Sequence, residues 1–213
     1  MATEPGDGQR PTGLLVDWGG VMTTNLFDSF AAFCTAEGID TDALRQAFRS
    51  SPEAQELLFA FEEGRVDAVA FERQLAELLG IPLRHEGLVE RMFAGSGLDE
   101  RMVSAVRAIH GAGIRTGLIS NSWGVNTYPR PLLAELFDGV VISGEVGIRK
   151  PAARIYELGA EAIGLPPAEC VFVDDLPFNL PPAAELGMRT IRHYNAADTI
   201  DQLQALFGLT LAA

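Results

Sequence analysis

Asp17 ends a short apolar run, Gly13-Leu14-Leu15-Val16, and is followed by Trp18-Gly19-Gly20. A continuous apolar run of this length fits a buried parallel strand. A carboxylate at the C-terminal end of such a strand lies where open α/β sheets bind ligands. The glycines behind it let backbone atoms approach a bound ion or phosphate closely. Three more polar sets end or closely follow apolar runs: Ser120-Asn121, Lys150 and Asp174-Asp175. Taken singly, each has a plain reading as a helix cap, a turn or a solvated charge. Taken together they make one device. Carboxylates crowded on one sheet edge favour a hard divalent cation, and Mg²⁺ prefers carboxylate, carbonyl and water oxygens. A Ser hydroxyl, an Asn amide and a Lys ammonium suit phosphate oxygens. An Asp beside Mg²⁺ and Lys can attack phosphorus and form an aspartyl-phosphate. The Lys would hold that Asp ionised and damp the charge of the transition state.

The elements that would position these groups alternate. After the Asp17 strand a helical block runs from about Leu26 to Ala94, with no strand evident in it. Ser51-Pro52-Glu53 is a good helix start, with Ser as cap and Pro at the first helical position. Phe71, Leu75, Leu78 and Leu79 fall on one helical face, and Gly80 closes that helix. Helices are then expected at 99–112, 131–136, 154–163, 182–186 and 198–207. Strands are expected at 116–120, 139–142, 170–174 and 188–192. Strands alternating with helices of this length imply an α/β fold with a doubly wound, parallel, Rossmann-like sheet. The expected layout is a flexible tail at 1–12, an α/β core at 13–24 and 97–213, and a helical cap at 25–96 inserted after the first strand.

The whole chain sets limits. Its 213 residues, 47% hydrophobic, suffice for one large domain or a domain with a modest insertion. The net charge is −13, and the 16 Lys and Arg are dispersed, so no basic face for nucleic acid is expected. No apolar stretch approaches the roughly 20 residues of a membrane span. The first twelve residues have neither the basic nor the apolar region of a signal peptide. Cys34 and Cys170 both lie in apolar surroundings and read as buried thiols, which fits a cytoplasmic protein.

The ordered set resembles the haloacid dehalogenase-like superfamily. Asp17 matches the first motif, Ser120 in Leu118-Ile119-Ser120-Asn121 the second, Lys150 in Arg149-Lys150-Pro151 the third, and Asp174-Asp175 the fourth. The stretches Ile119-Ser120-Asn121-Ser122-Trp123 and Asp174-Asp175…Asn179-Leu180…Ala183…Leu186-Gly187-Met188 look closest to the phosphatase domain of soluble epoxide hydrolases and its bacterial relatives. The resemblance implies a Mg²⁺-dependent phosphomonoester hydrolase acting on a small phosphorylated metabolite, as a monomer or homodimer. It implies Asp17 as nucleophile and metal ligand, with the Gly19 carbonyl, Asp174 and Asp175 as further ligands. Ser120 and Asn121 would hold the phosphoryl group, and Lys150 would bridge it to Asp17.

The sequence departs from that pattern at Gly19, where most phosphatases of the superfamily carry a second Asp as general acid and base. Positioned acid–base catalysis is typically worth about 10²–10⁴-fold. Asp28, Glu62 and Glu63 are candidate substitutes. A second departure is Ala152, where many relatives place an acid. Two other readings follow. One is a catalytically weak module binding a phosphorylated ligand or a partner protein. The other is a metal-free haloacid dehalogenase, against which the paired Asp174-Asp175 argue. His85, His110 and His193 lack metal spacing and read as structural. Trp18 and Trp123 either wall a pocket or pack the sheet edge. Phe27, Phe30 and Phe33 read as the seam between cap and core.

Overall fold

A computed structural model describes residues 10–124 and 127–211. Five parallel strands form one sheet: β1 (Gly13–Val16), β2 (Arg115–Ser120), β3 (Gly139–Ile142), β4 (Cys170–Asp174) and β5 (Arg189–Arg192). Their order is β3-β2-β1-β4-β5. The chain leaves β1 in one direction for β2 and β3, then returns past β1 for β4 and β5. β1 therefore lies at the switch point, where strand carboxyl ends open a crevice.

Eleven α-helices follow in chain order among the described residues: α1 (Leu26–Glu37), α2 (Ala43–Ser50), α3 (Pro52–Glu62), α4 (Ala68–Leu78), α5 (Leu88–Phe93), α6 (Glu100–Gly111), α7 (Arg130–Leu136), α8 (Ser143–Val146), α9 (Ala153–Ala162), α10 (Leu180–Glu185) and α11 (Ala196–Phe207). Period-2 alternation on β1 splits the core in two. Leu14 and Val16 pack with Met102 of α6, Leu133 of α7 and Leu203 of α11. Leu15 points the other way, onto Ile119, Phe172, Ile155 of α9 and Ala183 of α10. Gly159 lets α9 lie close on the sheet, since a Cβ there would sit 2.4 Å from Ile119 Cδ1.

The helices α1 to α5 have their own apolar cluster, built on Phe33, Leu44, Phe61, Phe71, Leu75 and Met92. The segments entering and leaving this insertion pair with each other. Thr24 N–H donates to the Gly97 carbonyl at 2.8 Å, and Asp99 N–H donates to the Met22 carbonyl at 2.9 Å. Ser51 caps α3 as expected, its Oγ accepting from Ala54 N–H at 3.2 Å, with Pro52 at the first position.

Some expectations need correction. Leu78 is exposed while Phe71 and Leu75 are buried, because α4 turns only part of that stripe inward. The tail reading fails at its inner end: Pro11 is buried, and Thr12 is tied on both sides by Glu169 and Arg115. Residues 1–9 lie outside the described residues. Cys34 and Cys170 are buried free thiols. No helix among the described residues is long and apolar enough to cross a membrane.

Candidate active site

Asp17 leaves β1 between the ends of β2 and β4. Its N–H donates to the Val173 carbonyl at 2.9 Å, which continues the ladder past the strand. That pairing sets Asp17 beside Asp174, while Ser120 ends β2 on the other side. Lys150 arrives from the loop between α8 and α9. Its Nζ lies 2.8 Å from Asp17 Oδ1 and 2.6 Å from Asp174 Oδ2, and the side chain is fully buried.

The two acids at the end of β4 differ. Asp174 is saturated: Oδ1 accepts from Leu176 N–H at 2.8 Å and Asn179 Nδ2 at 3.0 Å, and Oδ2 accepts from Lys150 and Asn179. Asp175 Oδ1 is buried with no hydrogen-bond partner. Carboxylate oxygens of Asp17, Asp174 and Asp175 lie within 4.8 Å of one another. The carboxylates outnumber the ammonium among them. Burial pushes the Asp17 carboxyl up to about 8; Lys150 pulls it down, and Asp174 and Asp175 push it further up. Burial and the Asp174 charge push Asp175 up to about 6. Burial works against the Lys150 ammonium, but Asp17 and Asp174 outweigh it and hold its pKa above the ordinary range. An orphaned buried oxygen in an anionic cluster of hard donors fits a divalent cation such as Mg²⁺. Asp175 has the free oxygen, so it suits direct ligation better than Asp174.

The second motif is arranged differently from its sequence reading. Ser120 Oγ is 2.8 Å from Tyr128 Oη, a buried hydroxyl that sequence spacing did not flag. Trp18 packs beside the Tyr128 ring, with centroids 5.9 Å apart. The Asn121 amide is turned away from a phosphate role: Oδ1 accepts from Lys150 N–H at 2.8 Å, and Nδ2 donates to the Lys150 carbonyl and to Glu62 Oε2. Of the three candidate acids, Glu62 is buried against core residues. Glu63 instead pairs with Arg65 near the surface, and Asp28 is exposed on α1. Burial raises the Glu62 carboxyl, and Arg149 opposes it.

Gly19 lies two residues after Asp17 in a turn and has no left-handed φ. A Cβ on it would sit 2.7 Å from Leu26 Cδ1, so an apolar side chain of α1 fills the space that position 19 opens onto. Trp123 inserts into the aromatic cluster of the insertion, against Phe30, Phe48 and Phe93, rather than lining the sheet edge. Phe30 lies at that seam, Phe33 is inside the insertion, and Phe27 is half exposed. His110 and His193 bond to Thr116 and Thr199, and His85 bonds to the Pro82 carbonyl.

A family model described as haloacid dehalogenase-like hydrolase matches residues 12–187. The chain belongs to that family. Among curated relatives, the sesquiterpene phosphatase astK of Aspergillus oryzae is 30% identical over 152 residues, which cover 70% of this chain and 78% of that one. The D-ribitol-5-phosphate phosphatase of Bacteroides thetaiotaomicron is 26% identical over 207 residues, covering 92% and 98%. The chain spans 10% to 27% of the length of other, longer relatives, mammalian bifunctional epoxide hydrolases among them. A haloacid dehalogenase-family enzyme from Bacteroides thetaiotaomicron, solved with magnesium and inorganic phosphate, shares the fold. Its TM-score is 0.63 at 19% identity, covering 85% of this chain and 93% of that one.

Proposed function

We propose that this haloacid dehalogenase-like hydrolase is a Mg²⁺-dependent phosphomonoesterase working through an aspartyl-phosphate on Asp17. The observation that carries this reading is Lys150 Nζ, buried and shared between Asp17 and Asp174 beside an unpartnered oxygen of Asp175. Asp17, Asp175 and the Gly19 carbonyl would hold the ion, which when bound would neutralise charge on the transferring phosphoryl group. An Asp17 oxygen attacks phosphorus, and the bond from phosphorus to the ester oxygen breaks, with the leaving oxygen taking its proton from water. Water then cleaves the acyl-phosphate and returns the carboxylate. Lys150 pulls the Asp17 carboxyl toward its anionic form against burial, and faces the charge that develops on the equatorial oxygens. Asp174 holds Lys150 from behind, and Asn179 holds Asp174. Ser120 would present its hydroxyl to the phosphoryl group, with Tyr128 fixing its rotamer. Residues 25–96 would act as the cap that selects the leaving group, a small phosphorylated metabolite. Phosphatases among the relatives support the reading.

Release of inorganic phosphate from a panel of phosphomonoesters is the direct test. Turnover is expected with Mg²⁺ and is expected to fall to background in EDTA. Equal rates in both would remove the metal from the mechanism.

The second reading, a weak phosphate-binding module, draws on Leu26 filling the space beside Gly19. Gly19→Asp separates the two. Its backbone is open to any L residue, and the Leu26 side chain can swing aside, so the new carboxyl can reach the leaving oxygen. A tenfold or larger rise in kcat on poor leaving groups is expected, within the roughly 10²–10⁴-fold range of acid–base catalysis. Gly19→Ala controls for displacement of Leu26. A slower Gly19→Asp would mean that the site is built around another acid or an ordered water. Inactivity of both proteins, with Mg²⁺ and phosphate still bound, would favour the module.

A further inference from the structure

Glu62 ends α3 where the helical insertion meets the core, and it is only 5% exposed. Its Oε2 accepts from two core residues, Arg149 through Nε and Asn121 through Nδ2 at 3.3 Å. The Glu62 carbonyl accepts from Ser143 Oγ, and that oxygen accepts from the Ser122 amide at 2.8 Å. Just beyond, Gly64 passes so close to the core that a Cβ would sit 2.6 Å from the Gly144 carbonyl oxygen. The Arg149 guanidinium is held over Phe59, also on α3, at 3.9 Å.

The other bonds of Asn121 give this junction its meaning. A primary amide offers two N–H donors and one oxygen acceptor. Lys150 takes the oxygen through its N–H and one donor through its carbonyl, and Glu62 takes from the same nitrogen. A flipped amide would set its oxygen against the Glu62 carboxylate and the Lys150 carbonyl, and would lose both bonds to Lys150. The Glu62 carboxylate therefore favours the same rotamer that the two Lys150 bonds require, and adds to the hold on the Lys150 backbone.

We infer that Glu62 is a positioning residue: from the insertion it fixes the Asn121 amide and Arg149, and through them the backbone that carries Lys150. The Lys150 ammonium is then aligned on Asp17 only when the insertion is seated on the core. The inference rests on the reading of Lys150 as the ammonium that faces the phosphoryl group. It also sets Glu62 apart from the acid's role, since its Oε2 is engaged by two N–H donors of the core.

Hydrogen exchange at the Lys150 amide, read with phosphatase kinetics, tests it on Glu62→Gln. Exchange at Lys150 should rise about tenfold while amides of β1 and β4 keep their protection. At the same time kcat should fall tenfold or more with a smaller change in KM, because alignment of Lys150 matters most in the transition state. Glu63→Gln, which breaks only the pair with Arg65, should match wild type in both readouts. Unchanged protection at Lys150 in Glu62→Gln overturns the inference. So does protection lost evenly across insertion and sheet with kcat of the folded fraction intact, which would make Glu62 a structural residue only. Should Glu62→Gln not fold, Glu62→Asp carries the same test, since the shorter acid withdraws its carboxylate from Asn121 and Arg149: Lys150 should lose protection, and its retention overturns the inference. If wild type hydrolyses no phosphoester yet Glu62→Gln exposes the Lys150 amide, the positioning role stands and the hydrolase reading alone fails.

Discussion

Lys150→Met should destabilise the metal-free protein by about 3–5 kcal/mol at pH 9, above the Asp17 value of about 8, the cost of stripping the partner from buried charges. Lys150 is enclosed, with its ammonium 2.8 Å from Asp17 and 2.6 Å from Asp174. Met fills nearly the same volume, so little of the loss comes from packing. What remains is two buried carboxylates that lose their shared cation, with Asp175 adding a third charge nearby. For a chain of this size the loss corresponds to a fall in Tm of roughly 6–20 °C. Two accompanying results identify the cause as charge. Millimolar Mg²⁺ should recover part of the lost Tm, since it supplies positive charge to the same oxygens. Adding Asp17→Asn should also recover part, so the double variant should be more stable than Lys150→Met alone, a coupling expected of groups in contact. Turnover should not recover with Mg²⁺, because the interaction with the phosphoryl oxygens is gone; a loss of about 10²–10³-fold in kcat is expected. A Lys150→Met protein with wild-type Tm and kcat would make this lysine a bystander.

Much of this arrangement was legible because strand ends obey simple rules. The run Gly13–Val16 reads as a buried strand, and the polar residue ending such a strand emerges at the carboxyl edge. The ends of β2 and β4 followed the same logic, so Asp17, Ser120 and Asp174 met as their order implied. Lys150 was harder to place by propensity, since Lys before Pro is usually solvated; only its position in the ordered motif set marked it. What could not be read were choices made by packing. Glu62 and Glu63 are adjacent acids at the end of one helix, and only the docking of α3 on Ser143 and Gly144 sends one inward and the other to Arg65. Tyr128 reaches Ser120 from eight residues further along the chain, which no periodicity reports. The Asn121 amide is held by Lys150 and Glu62, both far away in sequence. Asp174 and Asp175 look equivalent in the chain, yet the tight turn into Leu176 and Asn179 consumes one and leaves the other an open oxygen.

Asp17→Asn should abolish phosphate release while raising the stability of the metal-free protein. An amide is nearly isosteric with the carboxylate but has no lone-pair charge with which to attack phosphorus, so turnover should drop to the background of the assay. Stability should move the other way, and with a defined pH dependence. Burial holds the Asp17 carboxyl at about 8 in the folded state, against about 3.9 in an unfolded chain. Between those values the unfolded state has released a proton that the folded state keeps, so wild-type stability falls as pH rises through that window. The amide of the variant has no such proton to keep or release. The two proteins should therefore have similar Tm near pH 4, and the variant should pull ahead as pH rises, with the gap levelling off above about pH 8. Asp175, raised to about 6 by burial and the Asp174 charge, remains in both proteins and gives each some fall of its own. Saturating Mg²⁺ should shrink or reverse the gap, since the wild-type carboxylate then gains a cation that the amide binds poorly. Thermal unfolding of both proteins from pH 4 to 9, with EDTA and with Mg²⁺, checks each part. A variant whose stability falls with rising pH just as steeply as that of wild type would show that Asp17 is not the strained acid of this cluster. A variant that still releases phosphate at the wild-type rate would remove it as nucleophile.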